Sequence, residues 1–358
     1  MVPHSSKSTT GLSRFAAFTA LATLGLIGLG GLVTSHGAGM AVPDWPTTCG
    51  YNMFLFPISQ WVGGIFYEHT HRLWASGVGF LTILLAVALQ WRAADRSLAR
   101  LGWIALVLVI LQGVLGGLRV SLMKDQIGIA HAALAQGFLV LLTWIAVASS
   151  GWWERSRHAP VSAGLTRWVT FLTIAIFVQL VVGATMRHQH AGLAVPDFPL
   201  AYGNVWPPTH DAFLQQINAN RSDARDFAPI TSFQIWVHMA HRMLAMLIGV
   251  AVVVASVRLR RSCGKASLPG RLGTVWGWLI VVQILMGAAT VWSNKAADIA
   301  TGHVVLGAVV LGVGFVTTVV CRAALAAAEV PGVLAGAVRH PGPVFEGRTA
   351  RRVAAVQG

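Results

Sequence analysis

Eight apolar runs, each near the roughly 20 residues that an α-helix needs to cross a bilayer, dominate this chain and leave it little else to fold into. They fall near residues 15–33, 62–90, 101–120, 127–150, 168–187, 234–257, 272–292 and 299–320. In lipid every backbone polar group must find its partner inside the structure, and for runs of this length that means helices. With 55% hydrophobic and 11% charged residues over 358 positions, the composition excludes an ordinary soluble domain. The net charge of +14 would suit a nucleic-acid ligand if the basic residues formed a patch beside aromatics. They come instead in short groups between the apolar runs, so no nucleic-acid partner is expected. The first run follows Lys7 and Arg14 in the manner of a secretory signal, but it is long and has a counterpart later in the chain, so it is read as a span.

The basic residues also orient the chain. Eighteen of the 26 Lys and Arg lie in one alternating set: the N-terminus, the loops 91–100, 151–167 and 258–271, and the C-terminal tail. Six lie in the other set (Arg119, Lys124, Arg187, Arg221, Arg225 and Lys295), while Arg72 and Arg242 sit inside spans. The positive-inside rule then places both termini in the cytoplasm, in a multi-pass protein of the cell (inner) membrane. Cys49 lies in an outer loop, whereas Cys263 and Cys321 lie at the cytoplasmic side, so no intrachain disulfide is expected.

The chain repeats itself. Ala38 through Pro46 reads AGMAVPDWP, and Ala191 through Pro199 reads AGLAVPDFP. Glu68-His69-Thr70-His71-Arg72 aligns with His238-Met239-Ala240-His241-Arg242, Gln112–Val120 with Gln283–Val291, and His131 with His303, at offsets of 153, 170, 171 and 172. Both halves start inside and hold four spans, which predicts an all-α membrane fold of two four-helix bundles related by a pseudo-twofold axis along the membrane normal. The expected segments are a cytoplasmic N-terminus (1–14), an N-terminal half (15–150), a linker (151–167), a C-terminal half (168–322) and a cytoplasmic tail (323–358). Gly113, Gly116, Gly117 and Gly287 would let backbones or a flat ligand approach closely, and each taken singly reads equally well as plain helix packing.

Ionisable residues inside spans are costly and are functional candidates by default. His71 and His131 in the first half match His241 and His303 in the second, all toward the outer side. A lone buried histidine is more often structural, but two duplicated pairs suit two axial ligands on a metal held between helices. A bare transition metal would want further donors, so a cofactor carrying its own equatorial ligands fits better, haem being the obvious one. Arg72 and Arg242 could pair with haem propionates or snorkel to the interface. His69 points elsewhere on its helix and is not read as a ligand. His238 shares a face with His241 and could be its neighbour or an alternative ligand. Where the second half has His238 the first has Glu68, a carboxylate one turn from a ligand candidate. It could accept a proton or steady a developing cation, or simply pair with Arg72.

These residues together resemble the haem A synthase family over about residues 15–322. The likeness is carried by Glu68-x-x-His71-Arg72, His131, His238-x-x-His241-Arg242, His303 and the repeated Pro-Asp-aromatic-Pro loops. The resemblance implies that haem B is the cofactor of the C-terminal half, with His241 and His303 as axial ligands and Arg242 beside it. It implies that haem O is the substrate of the N-terminal half, flanked by His71 and His131 with Arg72, and that Glu68 is the catalytic carboxylate. The reaction implied is oxidation of a ring methyl to a formyl group by two hydroxylations, supplying haem A for cytochrome oxidase. Expected partners are membrane lipid, a haem O-producing farnesyltransferase and an electron acceptor; whether the chain forms a homo-oligomer stays open. Many members carry cysteine pairs in the outer loops, whereas here the first loop has only Cys49 and the second has none. Two other readings remain: a dihaem b-type cytochrome that only transfers electrons, and a haem transporter.

Overall fold

The computed structural model describes residues 10–93, 95–157, 159–220 and 229–328. The extreme N-terminus, most of the C-terminal tail, and Arg221 and Arg225 of the second outer loop lie outside the described residues.

Eight long helices match the eight apolar runs: α1 (Thr10–Ser35), α2 (Gly63–Arg92), α3 (Arg96–Ser121), α4 (Asp125–Ser150), α5 (Ala163–His188), α7 (Ser232–Cys263), α8 (Leu268–Trp292) and α9 (Ala297–Ala328). Each is long and apolar enough to cross a membrane. The helices overrun the apolar runs where they leave the lipid. Thus α7 continues through Arg258, Arg260 and Arg261 to Cys263, because hydropathy marks the buried stretch while the hydrogen-bond ladder extends into the polar interface. Their ends carry local stop and start signals. Asp95 accepts from Ser97 N at 2.8 Å ahead of α3, Thr231 and Gln234 form a reciprocal capping box on α7, and Gly151 closes α4 in the left-handed region at φ 61°.

The helices close into two rings of four. In the first, α1 packs on α2 and α4, and α3 packs on the same two; in the second, α5 packs on α7 and α9, and α8 on the same two. Between the rings α1 touches α9, α4 touches α5, and α4 touches α9, a set of contacts that maps onto itself when the halves are exchanged. Each ring has an apolar core at the end where α1 begins and α9 ends: Leu12, Leu85, Leu89, Leu98 and Ile145 in the first, Leu172, Leu259, Trp276 and Cys321 in the second. Leu21, Val107, Ile110 and Leu247 are more than half exposed on the outside of the rings, as lipid-facing residues should be.

Two connections at the opposite end are long. The first, between α1 and α2, contains two short 3-10 turns (Met53–Leu55 and Ile58–Gln60). The second, between α5 and α7, contains a further helix, α6 (Asp211–Ala219), whose Phe213, Leu214 and Ile217 pack against buried Ala191, Val195 and Ile235. Asn218 ties the end of α6 down, exchanging two hydrogen bonds with the Ile230 backbone at 2.7 and 3.0 Å.

Candidate functional site

The two histidines of each half stand on helices at opposite corners of one ring, His71 on α2 and His131 on α4, His241 on α7 and His303 on α9. All four enter from the outer end. His131 and His303 each sit six residues inside their helices, and His71 and His241 eight and nine inside, so the pairs lie at about 9 to 14 Å of axial depth.

The other two corners carry glycines. A Cβ built on Gly30 of α1 would lie 3.2 Å from the His71 ring, on Gly116 of α3 3.3 Å from His131, on Gly183 of α5 3.0 Å from His241, and on Gly287 of α8 3.1 Å from His303. Each imidazole therefore lies edge-on in a notch that any side chain would fill. Gly30 and Gly183 share the loop offset of 153, and Gly116 and Gly287 the offset of 171, so the repeat extends to the notches.

Neighbouring glutamines tie the main chain of three of these histidines. Gln112 Nε2 donates to the carbonyl of His131 at 3.1 Å, and Gln283 Nε2 to that of His303 at 3.0 Å. Gln179 Nε2 donates to the His241 carbonyl at 2.8 Å and lies 3.0 Å from its Nδ1. Nδ1 of His71, His131 and His303 is buried without a hydrogen-bond partner among the described residues, and in His71 and His131 it is nearer than Nε2 to the notch glycine. With Nδ1 turned to the helix wall, Nε2 is the nitrogen left for a ligand.

The His241 and His303 ring centroids are 6.4 Å apart with planes at 78°. Two imidazoles on opposite sides of one iron, each at a metal–nitrogen bond of about 2 Å, have centroids roughly 6–6.5 Å apart. Among the described residues no three His, Cys, Asp or Glu side chains gather to hold a bare ion. The donor set and the glycine notches fit a metal whose equatorial positions are filled by a flat ligand.

Over each pair lies an outer loop of matching construction. Asp44 accepts from the backbone N–H of Cys49 and Gly50 at 2.7 and 2.9 Å and from Thr47 Oγ1 at 2.5 Å; Asp197 accepts from Tyr202 and Gly203 at 2.7 and 2.8 Å. Burial alone would raise the Asp44 carboxyl, but the hydrogen bonds from Gly50, Thr47 and Cys49 outweigh it and hold it below the ordinary value. The repeated Pro-Asp-aromatic-Pro motif is thus the knot of a loop. Its aromatics pack on the bundles: Trp45 lies on Gly117 of α3, and Phe198 lies edge-on to Trp292 and under the Arg242 guanidinium at 5.5 Å.

The loops are latched to α2 and α7 by the residues flanking the histidines. Val42 N–H donates to Glu68 Oε2 at 2.9 Å, and Val195 N–H to His238 Nδ1 at 3.3 Å. Glu68 and His238, different in chemistry, do one mechanical job, and both are buried. Arg72 donates through Nη1 to the carbonyls of Asp44 and Thr47, and through Nη2 to Val42 O and Glu68 Oε1, at 2.7 to 2.9 Å. Arg242 donates to Leu200 O and Val195 O at 3.1 and 2.9 Å. Loop-holding is a role that sequence reasoning did not weigh for either arginine. His69 is fully buried between Phe56 and Trp61, with Nδ1 3.2 Å from Thr48 Oγ1, on a different side of α2 from His71.

Sequence reasoning missed Gln179, Gly30, Gly183, Arg119 and His188. The two glycines could have been found by extending the repeat alignment. His188 lies against Gly128 of α4, and Arg187 reaches from α5 to Gly31 O and Ser35 Oγ of α1 at 2.5 and 2.6 Å. Neither has a repeat partner that would mark it, since Ser35 and Thr34 occupy the equivalent positions.

The profile of the COX15-CtaA family, described as cytochrome oxidase assembly protein, matches residues 51–315. Among similar proteins are one called Heme A synthase from Shouchella clausii (strain KSM-K16), 29% identical over 294 residues covering 80% of this chain and 88% of the relative. Another of that name, from Bacillus cereus (strain 03BB102), is 26% identical over 302 residues covering 80% and 86%. The matched stretch contains all four histidines, both arginines and Glu68, and the chain belongs to the COX15-CtaA family of cytochrome oxidase assembly proteins.

Proposed function

We propose that this chain is a haem A synthase, oxidising a ring methyl of haem O to the formyl group of haem A. The observation that carries the reading is an asymmetry inside the duplication: two equivalent histidine pairs, with a buried carboxylate beside only one. A chain that only passed electrons would have no use for the difference. Family membership and relatives named Heme A synthase support it.

In this reading the N-terminal half (15–150) is the reaction chamber, and His71 and His131 hold the iron of haem O from its two faces. Their glycine notches fix ring orientation, which fixes the macrocycle between them. Glu68, one turn from His71 with both oxygens positioned by Val42 and Arg72, accepts a proton from the reacting methyl or steadies positive charge developing there. Two successive hydroxylations of the methyl, each a two-electron oxidation, give a geminal diol, and loss of water leaves the aldehyde.

The C-terminal half (168–322) would hold haem B through His241 and His303, with Arg242, whose Nε has no partner among the described residues, available to its carboxylates. When bound, haem B supplies a one-electron relay towards an acceptor outside the chain. The pseudo-twofold relation of the bundles would set the two sites side by side at equal depth. The excess of basic residues on one set of loops puts both termini in the cytoplasm and the knotted loops outside the cell membrane. A farnesyltransferase making haem O is the expected donor of substrate.

The test is co-expression with a haem O-producing farnesyltransferase in a host lacking haem A, followed by chromatography and mass analysis of extracted haems. Haem A or its hydroxylated precursor is expected. A folded, haem-loaded protein that leaves haem O unchanged would overturn the proposal and point to an electron-transfer cytochrome.

A further inference from the structure

We infer that Arg119, at the outer end of α3, binds a carboxylate of the porphyrin in the N-terminal pocket. The inference rests on the haem O reading above and adds a substrate-binding residue to it.

A porphyrin with two carboxylates entering a membrane bundle needs a cation at its polar edge. The arginine next to the ligand candidate is not free to supply one in the first half. All four Nη hydrogens of Arg72 have acceptors, three in the outer loop and the fourth Glu68. In the second half Arg242 has, among the described residues, two such bonds and no partner for its buried Nε. Of the two extra bonds one goes to the Asp44 carbonyl and the other to Glu68, so the carboxylate that distinguishes the first pocket also helps to occupy its arginine.

Arg119 makes good the deficit. Its side chain is 15% exposed, it stands one turn of α3 beyond Gly116, which meets the His131 ring, and its Nε is buried with no partner among the described residues. The guanidinium lies under the outer loop, where a Cβ on Gly39 would come within 2.6 Å of Nη2. One donor is used, to Asp125 Oδ1 at 3.0 Å. The Asp125 side chain is 39% exposed, so water screens its charge, while the Arg119 side chain is largely buried. The residue equivalent to Arg119 in the second half is Thr290, which instead donates to Met286 O within its own helix. The first pocket thus has a cation where its own loop arginine is engaged, and the second, with donors left on Arg242, has none at the equivalent place.

The experiment is titration of the purified full chain in detergent with haem O and with haem O dimethyl ester, followed by visible absorbance. Wild type should bind the diacid about tenfold more tightly than the diester, the ordinary effect of one charge-assisted hydrogen bond. Arg119→Gln should lose that preference by weakening diacid binding alone, while absorbance from the second pocket stays as in wild type and reports that the variant is folded. A variant that keeps the full preference overturns the inference. Equal affinity of wild type for both forms overturns it without any variant, so a misfolded Arg119→Gln does not protect it. Failure of wild type to bind haem O in either form overturns the function reading and this inference together.

Discussion

Glu68 presents one oxygen to the Val42 N–H and the other to Arg72, so a loss of activity on truncating it could come from a loosened loop as readily as from missing chemistry. Glutamine separates the two, because it keeps an acceptor for Val42 and nearly the same shape. Glu68→Gln should retain bound haem and an intact first loop by limited proteolysis, yet lower conversion of haem O by about a hundredfold or more; near-normal haem A output would remove Glu68 from the chemistry. The notch glycines make a second residue-scale prediction. At Gly183 a Cβ already meets the His241 ring at 3.0 Å, and a valine would drive its methyls into it. Gly183→Val should cost roughly 1–3 kcal/mol of haem affinity in the second pocket through overpacking, seen as a lower haem content per protein, with His241→Ala and His303→Ala removing that signal altogether. Haem content unchanged in Gly183→Val would show that the ring can shift without loss.

At the scale of elements, the outer loops are the parts that the fold has to hold in place, since they lack a ladder of their own. Asp44 and Asp197 replace that ladder with side-chain acceptors, and Arg72 and Arg242 bind the loops to α2 and α7. Asp197→Ala leaves the Tyr202 and Gly203 N–H groups without their acceptor, at roughly 1–3 kcal/mol of local stability, and should speed proteolytic cleavage between Ala194 and Asn204 while the eight helices persist. The same logic sets an acid limit. The folded Asp44 carboxyl titrates below its unfolded value of about 3.9, so its contribution is fully present above that value and is lost as pH falls through the lower folded one. Amide-exchange protection at Cys49 and Gly50 should therefore persist at pH 5 and fail only below about pH 4; a loss already at pH 6 would contradict the Asp44 knot.

For the molecule as a whole, the seam between the bundles is polar at its outer end, where Arg187 ties α5 to α1. Arg187→Ala should shorten the half-life of thermal inactivation in detergent, by an amount corresponding to roughly 1.5–3 kcal/mol for the lost charged hydrogen bonds, and an unchanged half-life would mean that the helix contacts alone hold the halves. The eight spans were legible in sequence because lipid leaves an apolar run of that length no alternative to a helix, and the ligand candidates were legible because duplication marks His71, His131, His241 and His303 twice. Gly116 and Gly287 were visible as small residues, but not as notches for rings, since a notch exists only once α3 lies beside α4 and α8 beside α9. Arg72 shows the limit most clearly. Its place beside a ligand candidate is a fact of sequence, whereas its four acceptors lie at Val42, Asp44, Thr47 and Glu68 and come together only when the loop folds back over the helix. Sequence by itself determined the helices, the repeat and the four histidines, through hydropathy and periodicity, which are local along the chain; tertiary structure alone decided which donors are already engaged and which remain for a ligand, because hydrogen-bond partners are chosen by proximity in space.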